Sequence, residues 1–164
     1  MDLKAYSNQI VRNVKHHPNV AGFRIKGKTL YRHYGDAIQL INFQGSGSNT
    51  VDIMKFTINL GIYLPSLAVL DEDPEMTTDI LKAHWRSRIG SYMGDGTDYW
   101  WKVESEMQLR PISDEIVQVL EHSAIPAMNE LSSVDALCAV WKRGEHPGIG
   151  KNQRTRFIEL LCGE

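Results

Sequence analysis

The sequence predicts an α+β fold: an antiparallel sheet of four to five strands, entered as a β-meander from an N-terminal helix and packed against a helical C-terminal half. Three observations carry this expectation. Leu3, Tyr6, Ile10 and Val14 recur at three- and four-residue steps, which sets them on one helix face. Residues 22–64 then break into short β-rich segments divided by Gly, Asp and Ser, the punctuation of a meander. From residue 113 onward, apolar residues return to helical spacing. The 164 residues, 42% apolar and 23% charged, suit one domain over 1–164 and exclude disorder over most of the length.

Each element has a local reason. Pro18 ends the first helix, because the residue before a proline is pushed out of the helical region. Gly22–Lys26 leads through Gly27 to Thr29–Tyr34, and Gly35-Asp36 then forms a two-residue hairpin of the glycine-first kind. Ala37–Gln44 is the third strand, Gly45–Asn49 a flexible loop, and Met54–Leu64 the fourth strand. In that last segment Phe56, Ile58, Leu60 and Ile62 alternate with Lys55, Thr57, Asn59, Gly61 and Tyr63, giving one core face and one polar face. Thr78 is placed to cap a short helix carrying Ile80, Leu81, His84 and Trp85. Asp98–Val103 reads as a further aromatic strand. Ser113 starts a helix with acids in its first turn, Pro126 interrupts it, and Ser133 starts another that Gly144 terminates. Phe157, Leu160 and Leu161 indicate a closing helix.

Charge is balanced overall, at −2, but unevenly placed. Residues 1–35 hold seven lysines or arginines against Asp2, and residues 142–156 hold five against Glu145. Asp71–Glu75 leads an acidic stretch between them. A pI near 6.3 sets nucleic-acid binding through the two basic segments behind other readings, since a dedicated binder is usually strongly basic. No apolar run approaches the roughly 18 residues of a membrane span, and the N-terminus lacks the apolar stretch of a signal peptide. A cytoplasmic setting without membrane contact is expected.

No catalytic, cofactor or metal motif stands out. The six histidines, His16, His17, His33, His84, His122 and His146, show no metal-ligand spacing. Residues 144–152 miss the spacing of a phosphate loop, and Asn152 stands where that loop needs Ser or Thr. Cys138 and Cys162 are too few for a disulfide scaffold and too far apart for a zinc knuckle. Cys138, on the apolar face of its helix, reads as a buried, inert thiol.

What remains is a surface. Asn42 and Gln44 share one face of the third strand, and Thr57 and Asn59 share the polar face of the fourth. If these strands are neighbours, their side chains form a cluster that both donates and accepts. Arg86, Arg88, Trp100 and Trp101 are a second candidate group, because arginine and tryptophan are the residues most often energetic at interfaces. Adjacent tryptophans on a strand point to opposite faces, which sends at least one into the core.

The run Leu30-Tyr31-Arg32, Gly35-Asp36 and Gln39 to Ser46, followed by Phe56 to Tyr63, resembles a bacterial family, domain of unknown function 4304. Arg88-Ile89-Gly90 and Trp100-Trp101 are similar to its second block. The resemblance runs to about residue 140 and implies a bacterial, cytoplasmic α+β domain; it brings no activity and no functional residue. The reading that follows is a non-catalytic module that binds another protein, an immunity- or antitoxin-like partner being one version. The alternatives are a small hydrolase or nuclease-like enzyme with dispersed residues, and nucleic-acid binding through 1–35 and 142–156.

Overall fold

In the computed structural model, which describes residues 2–70, 78–144 and 148–163, helix α1 (Leu3–His16) leads into a six-stranded antiparallel sheet. The strands are β1 (Arg24–Lys26), β2 (Thr29–Tyr34), β3 (Ala37–Gly45), β4 (Met54–Tyr63), β5 (Trp85–Arg88) and β6 (Trp101–Val103). β1 to β5 follow one another across the sheet, and β6 joins the same edge of β4 as β5, further along it. One short helix, α2 (Pro65–Leu70), follows β4. The second half supplies α3 (Leu109–Val119), α4 (Ile125–Leu131), α5 (Val134–Arg143) and α6 (Lys151–Leu161). The α+β expectation holds, with one strand beyond the four or five expected.

Local chemistry sets the element ends. The Asp2 carboxylate accepts from the Ala5 N–H and caps α1, satisfying one of the helix's first donors. Gly27 and Gly35, at φ +59° and +56°, open the two-residue loops of the β1–β2 and β2–β3 hairpins, where a positive φ is required. The Gly45–Asn49 loop is less free than its composition implies. Asn49 accepts from the Lys55 N–H and donates to the Lys55 carbonyl, pinning the loop to β4.

The main core lies between one sheet face and the helices. Ile41 and Phe43 of β3, Phe56, Ile58, Leu60 and Ile62 of β4, and Trp101 of β6 meet Ile10 and Val14 of α1, Ile116 and Val117 of α3, and Trp141 of α5. A polar network crosses this interface. Gln39, fully buried, donates to Asn129 Oδ1 at 2.9 Å and Ser132 Oγ at 3.0 Å, and accepts from Arg32 Nε at 2.7 Å. Arg32 also lies over the rings of Phe23 and Tyr34, and its burial pulls the guanidinium pKa down.

The sheet's other face is not simply wet. Ile38, Leu40 and Tyr63 form a second, smaller core with Ala68 of α2 and Ala83. It covers the end of the face nearest the β2–β3 hairpin and leaves the other end open. The cover includes a 3-10 turn over Ile80–Lys82, capped by Asp79 rather than Thr78. The expected helix through His84 and Trp85 does not form. A helix of so few residues is costly to nucleate, whereas the free edge of β4 offers partners: the His84 N–H donates to the Ile62 carbonyl at 2.9 Å, and Trp85 opens β5.

Two helix boundaries also differ from expectation. α3 begins before Ser113: Ser105 and Gln108 form a capping box, and Pro111 sits in the first turn, where its missing N–H costs nothing. The Ser113 hydroxyl is buried and donates to the Leu109 carbonyl. Pro126 does not interrupt, because a π turn over Leu120–Ala124 precedes it and the chain stays helical from 109 to 131. Such a wide turn is one way a helix absorbs a residue that cannot donate.

The cysteines are the plainest correction. Cys138 of α5 is not an inert thiol; it is joined to Cys162 in a disulfide. The Gly144 cap, at φ +74°, stops α5 and lets α6 pack back on it, which brings the two cysteines together across 24 residues of sequence. Asp71–Glu75 and Glu145–Pro147, which include the acidic run and His146, lie outside the described residues.

Two stability outcomes follow. Cys162→Ser lowers the unfolding free energy by about 3 kcal/mol under oxidising conditions, the loop-closure value for a loop of this length, and not at all in excess reductant. Gly90→Ala is as damaging. A Cβ there would collide with the Thr97 carbonyl and lie 2.8 Å from the Tyr99 nitrogen, backbone that cannot swing aside. Denaturant titration should show a loss of about 3 kcal/mol, the upper range for overpacking.

Candidate functional site

Strand register decides what the open part of the second face presents. Residues directly opposite in neighbouring strands share a face. One row therefore runs Lys26–Thr29–Asn42–Asn59–Arg88, and the next runs Arg24–Tyr31–Leu40–Gly61–Arg86. The first row is polar throughout, with a cation at each end. Lys55 stands on the same face two steps beyond Thr57, and Lys102 beside it is paired with Glu104 at 3.0 Å.

Within this face Asn42, Gln44, Asn59, Arg86 and Arg88 line a cavity of about 660 Å³. Its wall is the 3-10 turn carrying Asp79, Ile80 and Leu81. The turn reaches down because β4 has a glycine beneath it: a Cβ on Gly61 would lie 2.5 Å from Ile80 Cδ1 and 3.1 Å from the Ala83 Cβ. Leu81 remains 74% exposed at the rim.

The amides form a directed chain. Asn59 Nδ2 donates to Asn42 Oδ1 at 3.1 Å and to Gln44 Oε1 at 2.8 Å, while Asn42 Nδ2 donates to Thr29 Oγ1 at 3.0 Å. That leaves the Asn59 oxygen and the Gln44 NH2, both on residues lining the cavity, unspent within the cluster. Arg86 and Arg88 stand on the same side of β5, and the Arg88 guanidinium lies 5.5 Å from the centre of the Trp100 ring. Arg88 Nη1 is buried and makes no hydrogen bond to a described residue.

The structure thus brings both predicted groups to one place but does not keep every member. Thr57 shares the face yet is wholly buried, its hydroxyl donating to the Tyr99 carbonyl at 2.7 Å; it holds the 97–100 segment rather than a ligand. Trp101 lies in the core, 2% exposed, its ring 5.3 Å from that of Phe56. Trp100, on the opposite side, is half-buried and donates its indole N–H to Asp98 Oδ2. Upstream, Asp95 accepts from both the N–H and the hydroxyl of Thr97, which holds its carboxyl below the usual carboxylate range.

Residues 19–130, more than half of the chain, match the family described as domain of unknown function (DUF4304). The chain belongs to that family. No curated protein and no solved structure is a match for it. The matched span of this DUF4304 chain includes every residue of the groove, and stops before α5, α6 and their disulfide.

Sequence reasoning misses the wall: it puts Ile80 and Leu81 on a helix with His84 and Trp85 and gives Asp79 no place in a site. A glycine on the polar side of an otherwise regular β4 was the available signal, because an interior strand glycine often marks a close approach.

A second cavity, of about 570 Å³, lies around β5 and includes Trp85, Ser87, Ser91 and Tyr92. Burial pushes the Tyr92 hydroxyl's pKa up, and its hydrogen bond to Ser87 pulls the other way. Among the described residues no three His, Cys, Asp or Glu side chains are grouped to hold a metal ion. No described helix is long and apolar enough to cross a membrane.

Assigning Thr57 to the scaffold has a measurable consequence. Thr57→Val leaves the Tyr99 carbonyl unpaired, costing about 1–2 kcal/mol in denaturant titration. A protein of unchanged stability would contradict the assignment.

Proposed function

We propose that this DUF4304 protein is a non-catalytic binding module that engages another protein through the polar face of its sheet, an immunity- or antitoxin-like partner being one concrete form. The carrying observation is the convergence of Arg86 and Arg88 with Asn42, Gln44 and Asn59 in one groove. Arginine stays protonated, so the pair is suited to holding an anion rather than to exchanging protons. Arg24, Lys26 and Lys55 are exposed on the same face, which suits an acidic partner surface. The groove also has an aromatic and an aliphatic border, Trp100 and Leu81, as protein interfaces do. Against nucleic acid through 1–35 and 142–156, Arg24 and Lys26 stand on β1 at one edge of the sheet. The 148 loop pairs with β5 at the other edge, where Gly148 accepts from the Arg86 N–H.

A cytoplasmic setting belongs to the same proposal, and the Cys138–Cys162 bridge makes it testable. Disulfides persist in oxidising compartments, so trapping thiols in intact cells finds this pair reduced if the protein works in the cytoplasm and oxidised if it does not.

Affinity capture from the native host, with and without nuclease, tests the main reading. The wild-type chain should retain one partner in stoichiometric amount in both samples, and the double variant Arg86→Glu, Arg88→Glu should lose it while staying folded. The association rate of the purified pair should fall as salt rises, since charge complementarity acts mostly on encounter. Retention by the charge-reversed variant, or release by nuclease, would overturn the proposal.

A further inference from the structure

We infer that the groove is a carboxylate-reading site: it takes an acidic side chain presented by an extended segment of the partner, with the adjoining peptide unit held on the Gln44–Asn59 amides. This rests on the protein-binding reading and names the chemistry recognised. Arg88 carries the first part. With Arg86 it lines the groove and brings a permanent positive charge there. An oxygen anion between the two side chains is attracted to both, and a guanidinium fork matches a planar carboxylate with two parallel bonds. Trp100, under Arg88, fixes the fork's orientation.

The amides carry the second part. Within the cluster Asn59 spends its NH2 on Asn42 and Gln44. The functions left unspent on these groove-lining residues are therefore one acceptor, Asn59 Oδ1, and one donor, Gln44 Nε2. A peptide unit offers the complementary pair, an N–H and a C=O. A phosphate offers acceptors only and leaves Asn59 Oδ1 without a donor. Leu81, 74% exposed beside Ile80, gives an apolar neighbour of the acidic residue a surface to cover. An acidic residue flanked by an aliphatic one, in extended backbone, is the recognition element that fits.

Two matched dipeptides test this on the full chain: N-acetyl-leucyl-aspartyl amide and its uncharged isostere N-acetyl-leucyl-asparaginyl amide, with inorganic phosphate as a third probe. The readout is the side-chain NMR signals of Arg86, Arg88, Gln44 and Asn59. The aspartyl peptide should shift all four saturably, with a dissociation constant of order 1 mM. The asparaginyl peptide should bind at least about tenfold more weakly, the loss expected for a charge-assisted pair. Arg88→Gln should weaken the aspartyl peptide by a similar factor, whereas Lys4→Gln, exposed on α1 at the opposite face of the sheet, should not.

Equal binding of the two peptides, no saturable shift at these side chains, or tighter binding of phosphate would each overturn the inference. A partner still captured by Arg88→Gln protein that binds neither peptide would overturn it while leaving the protein-binding reading intact.

Discussion

The architecture of the second sheet face turns on a missing methyl group. β4 is paired along both edges and alternates strictly, so its core side was always going to be filled. Its other side is settled at Gly61, where the absent side chain lets Ile80 and Ala83 close onto the sheet. That contact seals the half of the face carrying Leu40 and Tyr63 and raises a wall beside the half carrying Asn59. A side chain at position 61 would lift the turn and flatten the groove into an open polar strip.

The groove's charged border depends on a second close approach. Gly90 admits the backbone of residues 97–99, Thr57 ties the Tyr99 carbonyl from below, and Trp100 then arrives under Arg88. The helical layer stands behind this arrangement. Gln39 is bonded to Asn129 and Ser132, so the sheet is fixed to α4 by a network that leaves its amide satisfied on both sides. The disulfide holds α6 to α5, and α6 contributes Phe157, whose ring packs on Trp141 and His84. The site is thus borne on strands, with two loops docked by glycine rather than left to move.

Much of this was legible in the sequence because strand periodicity is a strong signal. The alternation of residues 54–64 gave β4 and its faces, and turn glycines gave the hairpins. The prediction that Asn42, Gln44, Thr57 and Asn59 form a cluster needed only that β3 and β4 be neighbours, and their pairing brings Asn42, Gln44 and Asn59 together while Thr57 turns to the Tyr99 carbonyl. What was hidden has physical reasons. Proximity of Arg86 and Arg88 to the amides required β5 to pair with β4, which a tight glycine contact and a non-helical 79–83 segment decide, and neither has a local pattern. Pro111 and Pro126 look like breaks in a sequence but sit where a first turn and a π turn tolerate them. Thr57 looked like surface by alternation and became interior because the 97–100 segment closes over it. The cysteine pair lay 24 residues apart, a separation with no meaning until α5 and α6 fold back on each other.

The central claim is that the partner lies on the groove side of the sheet. Footprinting the complex purified from its host, by side-chain labelling with and without the partner bound, addresses it most directly. The account predicts protection of Leu81 at the groove's rim and of Trp100 beside Arg88, with labelling of Met107, 87% exposed elsewhere on the surface, unchanged. Protection confined to the helices, with the groove residues labelled as fully as in the free protein, would contradict it.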